Sequence, residues 1–370
     1  MPSVYIVSNY GKLSKKGDTL IFETYKYTST IFPFRTEGLI FIGKVDITAS
    51  ALSLLMKHQI DTVFLSTNGK FNGKLTFSEK KNVFLRLKQY KLLNDYNARL
   101  SFSKEITSTK LKNQLTFLHR IKRKNKFDEQ SIYNAISSIK NLFPYIEQAK
   151  DIDALQGYEG YGARQYFSVF GKDIIQDWAV FKGRNKNPPK DNVNAVLSFL
   201  YTLLYQRVDS AIESEDLDQY IGMFHEIDYG KRTLSFDLME EFRVPIVDTL
   251  TISLFNLGIL DKEDFRTVEF SSDSEENPLD IEDKVIDGFD EEKSENLNDE
   301  RIVRSSKGVL LSENGLRKCI EGFEKKMSST ILSPSTGRTV SYWKLIRDQV
   351  AVYKRFVNME ESTYKGFVYK

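Results

Sequence analysis

A single cysteine, Cys319, excludes any intrachain disulfide. Histidine is almost as scarce, with three in 370 residues, so a structural zinc site built from thiolates and imidazoles has too few donors. No stretch approaches the roughly twenty apolar residues of a membrane span. The opening Met1-Pro2-Ser3-Val4-Tyr5-Ile6 lacks a basic region followed by an uninterrupted apolar core. A soluble, cytoplasmic protein without membrane attachment is the expectation. Internal repeats are lacking, and so is a Gly-rich loop that would cradle phosphates.

What is present is charge, unevenly placed. The formal net charge is +2, yet residues 263–300 hold sixteen Asp/Glu against three Lys/Arg. The remaining 332 residues carry 50 basic and 35 acidic side chains, a net of +15. Such a body attracts polyanions, because each neutralised phosphate releases counterions. The densest basic stretch is Ser101–Lys126, with eight Lys/Arg and one Glu. Within it Arg120, Lys122, Arg123, Lys124 and Lys126 sit beside His119 and mark a nucleic-acid contact. Lysines that merely solvate helix faces are the alternative.

The length allows two domains, and 41% hydrophobic content is enough for real cores. Short apolar runs at 5–7, 20–22, 39–42 and 62–65 read as strands, with a final strand at 75–77. Asn68-Gly69 and Asn72-Gly73 read as tight turns. Thr48 caps one helix among them. A small β domain over 1–83 therefore precedes a larger all-α domain over 84–370, an α+β chain in which the second part holds the chemistry. In that part Ile132, Ala135, Ile136, Ile139 and Leu142 share one helical face, and Pro144 stops or kinks that helix. Asp191 caps a long amphipathic helix with Val193, Val196, Leu197, Leu200, Leu203, Leu204 and Val208 on its core stripe. A helix runs from about 247 to 257, with Gly258 as its stop. Ser312 caps another, bearing Leu316, Cys319, Ile320 and Phe323. The acidic stretch 271–306, rich in charge and poor in aromatics, reads as a mobile insertion.

Three places carry candidate chemistry. Glu159 lies among Gly157, Gly160 and Gly162, where the backbone is free to turn sharply toward a ligand. His225 follows Met223-Phe224 and reads either as a packed core residue or as a donor. Asp237 and Glu240 lie three apart, so a helix places both carboxylates on one face. The bland alternative there is a solvated face with Arg243 as ion-pair partner. Two carboxylates and an imidazole suit a hard or borderline divalent cation such as Mg²⁺ or Mn²⁺.

Ordered blocks carry a resemblance across nearly the whole chain. They are Gly157-Tyr158-Glu159-Gly160 with Ala163-Arg164-Gln165-Tyr166-Phe167, then Gly183-Arg184, Pro188-Pro189 and Asn194-Ala195. His225-Glu226, Gly230-Lys231-Arg232, Leu234 to Arg243 and Asp248 follow. The chain resembles the CRISPR-associated integrase/endonuclease of the spacer-acquisition complex. That resemblance implies a β domain joined to a helical catalytic domain. It implies Glu159, His225 and Glu240 as metal ligands, with Asp237 in support of them. It also implies attack by the 3′-hydroxyl of a short DNA duplex on a phosphodiester at the CRISPR repeat. A homodimer formed through the β domains, bridged by a small dimeric partner protein, belongs to the same expectation. Lys231, Arg232 and the 101–126 cluster would grip DNA backbone rather than read bases. Arg164 and Arg184 have equal claim to DNA contact and to structural ion pairs. His225 could instead serve as a general acid or base. A metal-dependent nuclease cutting branched or single-stranded DNA without joining it, and a non-catalytic DNA-binding scaffold, are the competing readings.

Overall fold

A computed structural model of the chain describes residues 3–75, 82–124, 129–186, 188–270 and 306–370. The chain opens with β1 (Ser3–Lys16), β2 (Thr19–Glu23), β3 (Thr28–Ile31) and β4 (Gly38–Ile47). Helix α1 (Ala49–Lys57) then crosses to β5 (Asp61–Leu65), and β6 (Phe71–Leu75) closes the unit. These form one six-stranded sheet in the order β3-β2-β1-β4-β5-β6. The β1–β4 and β4–β5 pairs are parallel, and the hairpin pairs are antiparallel. Thr48 caps α1 through its hydroxyl, as its sequence position implies. Asn72-Gly73 does not turn: both residues lie inside β6, paired to β5, and only Gly69 takes the positive φ of a tight turn.

Alternation along β4 explains how the sheet is used. Leu39 and Phe41 face α1 with Leu54 and Leu55, whereas Ile40 and Ile42 join the core of the helical part. The sheet is thus buried on both faces, and one face belongs to the hydrophobic core that surrounds the site.

The helical part is built on α3 (Tyr96–Lys124), preceded by α2 (Val83–Leu93). Around α3 pack α4 (Glu129–Lys140), α5 (Phe143–Gln148), α6 (Ile152–Phe170) and α8 (Thr233–Phe242), and α7 (Asn192–Ser214) packs on α8. Pro144 sits in the first turn of α5, where its missing N–H is harmless, so it starts a helix instead of ending one. After α8 the chain widens into a π-helical turn, Arg243–Asp248, that contains Pro245, and continues as α9 (Thr249–Asn256). Proline removes one donor from the ladder, which accounts for the break in regular helix at that point.

This part is mostly helical but includes two small strand pairs. Strands β7 (Phe265–Phe270) and β8 (Ser306–Leu311) flank α10 (Glu313–Ser328) on the amino-terminal side. Strands β9 (Thr330–Leu332) and β10 (Thr339–Ser341) precede α11 (Tyr342–Val357). Ser312 caps α10 as its position implies. Of the acidic stretch 271–306, all but Ser306 lies outside the described residues. Among the described residues no helix is long and apolar enough to cross a membrane.

The segment Ser101–Lys126 presents two faces: Lys112, Arg120 and Arg123 are exposed, while Lys110 is buried. One side of α3 is core: Phe102, Ile106, Leu111, Phe117, Leu118 and Ile121 are buried, and so are Ser103, Thr107, Lys110, Asn113 and Gln114. The last residues of the chain fold back onto this helix. Asn113 donates to the Phe367 carbonyl at 3.0 Å and accepts from the Tyr369 N–H at 3.1 Å.

Glu241 pins the same tail. It accepts from Tyr364 Oη, the Phe367 N–H and Gln349 Nε2. Burial outweighs those three bonds and pushes its pKa up from 4.5 to about 7. The folded chain therefore holds a proton that an unfolded glutamate has already released. That contribution to stability is fully present below about pH 4.5 and is lost as pH rises through about 7. Glu241→Gln removes this titration, so the Tm deficit of the variant should be larger at pH 5 than at pH 8. A deficit that stays constant across that range by calorimetry would show that Glu241 remains ionised throughout.

Candidate active site

Glu159, on α6, and Glu240, on α8, are 81 positions apart in sequence, and both reach the same ammonium group. Lys110 Nζ on α3 bonds Glu159 Oε1 and lies 2.5 Å from Glu240 Oε2. Glu240 Oε1 takes a second cation, with Arg243 Nε at 2.8 Å. All four residues are buried. The acids thus do not form a solvated face: the i, i+3 pair of Glu240 and Arg243 is an interior one. Burial alone would raise the Glu240 pKa, but Arg243, Lys110 and His225 outweigh it and hold the carboxyl well below its ordinary range. Burial pulls Lys110 down, and Glu159 and Glu240 more than restore it, so its charge is secured.

The glycines around Glu159 do not make a turn, because all lie within the continuous helix α6. Gly162 serves packing instead. A Cβ there would come within 2.4 Å of Leu111 Cδ2, so its absence lets α6 lie close against α3. That approach is what brings Lys110 within reach of Glu159.

His225 stands on the loop before α8, half-buried, with Phe224 and Phe236 edge-on to its ring at 4.9 and 6.3 Å. Its Nδ1 lies 2.7 Å from Asp237 Oδ1. A carboxylate only accepts, so Nδ1 donates the proton, and in the neutral ring Nε2 is then the lone-pair nitrogen. Asp237 also accepts the N–H groups of Met223, Phe224 and His225 at 2.6, 3.0 and 3.0 Å. One buried aspartate therefore sets both the loop and the ring. Gly222 is required beside it, since a Cβ there would stand 2.8 Å from Asp237 Oδ2. From the far side Gln156 Nε2 donates to the Phe224 carbonyl at 3.1 Å, tying the loop to the helix of Glu159.

Asp248, in the π-helical turn, accepts from Tyr166 Oη at 2.7 Å and Tyr201 Oη at 2.5 Å. Burial pushes its pKa up to about 6 despite those bonds. It lines a small cavity next to Lys110 that Gln114, Phe167, Arg184 and Tyr201 also border.

The basic side chains expected at DNA divide into groups. Arg120 and Arg123 are exposed near the end of α3, ten or more residues from Lys110, which is about 15 Å or more along a helix axis. Lys122 is partly covered, 3.2 Å from Glu129 and over the Tyr133 ring. Lys124 ends α3, and its side chain lies outside the described residues, as does Lys126. Arg164 is exposed on α6, and Lys231 is half-buried on the loop. Arg232 is committed elsewhere, its Nη1 lying 2.6 Å from Asp209 Oδ2. Asp209 also faces Lys74 of β6, which bonds Glu213 at 2.5 Å, so Arg232 joins a network that ties the sheet to the start of α8. Arg184 has a structural duty too. It donates to Asn194 Oδ1 at 2.8 Å and Ser198 Oγ at 3.1 Å and lies over the Tyr201 ring.

Lys110 was not singled out by sequence, although a signal exists. Ser103, Thr107, Lys110 and Gln114 recur at steps of four, three and four, next to the apolar stripe of Phe102, Ile106, Leu111 and Leu118. A polar stripe with that period marks a helix face turned toward a buried polar site.

The family model described as CRISPR associated protein Cas1 matches residues 4–272. A CRISPR-associated endonuclease Cas1 of Chlorobaculum tepidum is 29% identical over 373 residues, covering 100% of this chain and 98% of that protein. A casposase solved bound to its integration product shares the fold, with a TM-score of 0.76 at 22% identity over 99% of this chain and 93% of that one. So does a chain of a Cas6-RT-Cas1–Cas2 complex, with a TM-score of 0.76 at 20% identity over 99% of this chain and 36% of that one.

Replacing Asp237 by alanine leaves three buried N–H groups and the His225 ring without an acceptor. The unfolding free energy should fall by about 3 kcal/mol or more, measured by denaturant titration. A loss below about 1 kcal/mol would mean that the loop holds its shape without this carboxylate.

Proposed function

The chain belongs to the Cas1 family of CRISPR-associated proteins, and on that premise we propose that it is a divalent-metal-dependent integrase that joins short DNA fragments to a CRISPR repeat. The observation that carries this reading is the convergence of Glu159 and Glu240, from separate helices, on one buried cation position beside an imidazole oriented by Asp237.

The donor set fits Mg²⁺ or Mn²⁺ by its chemistry. Two carboxylates and a neutral imidazole nitrogen are hard-to-borderline donors. In support, Glu240 Oε2 is buried and accepts no hydrogen bond of ordinary geometry, and the Lys110 ammonium already occupies a cation position between the acids. Glu159, Glu240 and His225 Nε2 would hold the ion. When bound, such an ion supplies charge stabilisation to a phosphoryl group undergoing in-line displacement.

The chain's own residues account for the remaining requirements. Asp237 fixes the His225 tautomer, so Nε2 is presented unprotonated for ligation. Arg243 holds Glu240 in its ionised form from the opposite side. Arg164 and Lys231, both reachable from solvent near these elements, would hold phosphates of the DNA backbone. The same apparatus accepts water in place of a 3′-hydroxyl, and the Chlorobaculum relative is called an endonuclease. Hydrolysis is therefore the outcome against which joining is tested.

A homodimer through the β domain fits the exposed aromatics at the β3 side of the sheet. Tyr25 is 89% exposed, Phe32 44% and Phe34 59%. β3 is an edge strand. A small dimeric partner akin to the Cas2 component of the Cas6-RT-Cas1–Cas2 complex would complete the assembly.

The test is Mg²⁺- or Mn²⁺-dependent joining of a labelled short duplex to a repeat-bearing plasmid, with and without the small partner. Wild type should join, and His225→Ala should lose about 100-fold or more. Equal joining by both removes His225 from the site. Metal-dependent cutting without joining, partner present, replaces integrase by nuclease.

A further inference from the structure

The position of Lys110 conflicts with the cation that the acids are read as holding. Its ammonium bonds Glu159 Oε1 and stands 2.5 Å from Glu240 Oε2, so it fills the space between the two carboxylates. An ammonium and a divalent ion cannot share that space. Consistent with this, among the described residues no three His, Cys, Asp or Glu side chains stand grouped as a ready metal site.

A second observation shows where the ammonium can go. Gln114 follows Lys110 by one turn of α3, and its Oε1 is buried with no hydrogen-bond partner among the described residues. Both side chains border the cavity beside the site, together with Asp248 and Phe167. An unpartnered interior acceptor is costly to a fold unless some state of the molecule satisfies it. Lysine has the flexible four-carbon stem needed to reach either position.

We propose that Lys110 is a two-position internal counter-ion. It bridges Glu159 and Glu240 until the site takes up its divalent cation, and then withdraws into the neighbouring cavity to donate to Gln114 Oε1. In the first position it prevents two buried carboxylates from facing each other unpaired. In the second it remains beside the site as a positive charge. Moving it lowers the apparent metal affinity by the cost of the displacement, and Gln114 recovers part of that cost. The inference rests on the metal reading above.

The test measures Mn²⁺ binding by electron paramagnetic resonance to the full chain, without DNA. Wild type, Gln114→Leu and His225→Ala are compared, and apo melting temperatures are recorded. Gln114→Leu should melt at or above the wild-type temperature, because it deletes an unsatisfied buried group. It should nevertheless bind Mn²⁺ about fivefold or more weakly, the loss expected for one hydrogen bond. Gln114→Leu binding as tightly as wild type or tighter, while His225→Ala binds weakly, overturns the lysine proposal and leaves the metal reading standing. Failure of wild type to bind Mn²⁺, or equal binding by His225→Ala, overturns both. Independently of any variant, wild-type crystals soaked in Mn²⁺ should place Lys110 Nζ at Gln114. Lys110 still between the acids, with Mn²⁺ bound, would refute the proposal.

Discussion

The buried charge cluster of Glu159, Lys110, Glu240 and Arg243 is the constraint around which the helical part is arranged. Four ionised groups taken out of water are tolerated only when each has partners within bonding distance. Meeting that condition fixes α3, α6 and α8 against one another, because each contributes a member. The close approach permitted by Gly162 follows from the same need. Removing one partner would strand the others, whereas the set together is neutral.

The acids along α8 and the turn after it divide the labour by geometry rather than by type. Asp237 faces the loop of Met223 to His225 and orients an imidazole. Glu240, one turn on, faces the cation position. Glu241 turns the other way, to the carboxy-terminal tail, where burial pushes its pKa to about 7. Asp248, beyond Pro245, meets two tyrosine hydroxyls. Four carboxylates within twelve residues thus serve orientation, charge, tail docking and tyrosine anchoring. Helical rotation of about 100° per residue separates the duties of Glu240 and Glu241.

The basic residues show the opposite pattern. Their number favours a polyanionic partner, yet several are spent inside the fold. Arg232 secures the sheet to α8 through Asp209, and Arg184 braces the start of α7. Lys110, counted by composition with the rest of the basic stretch, is interior. Net charge survives such commitments, because each internal pair removes one cation and one anion. The surface available to a polyanion is therefore smaller than the tally of lysines and arginines suggests.

Much of the architecture was legible in sequence, because its causes are local. Alternation in 39–42, the Thr48, Asp191 and Ser312 caps, and the core stripe of α7 depend on neighbours within a few residues. So does the placement of Asp237 and Glu240 on one helix. The short β7–β8 and β9–β10 pairs escaped notice because strand pairing is set by a partner distant along the chain. Pro144 and the glycines of α6 misled for a related reason: a residue that permits a break does not enforce one when surrounding packing favours helix. The candidate acids and histidine could be named from their blocks. That an ammonium from α3 lies between two of them, that Asp237 holds the ring of the third, and that Arg232 and Arg184 face inward were decided only by the tertiary structure. Sequence spacing governs which residues share an element, while the meeting of elements depends on which faces bury together.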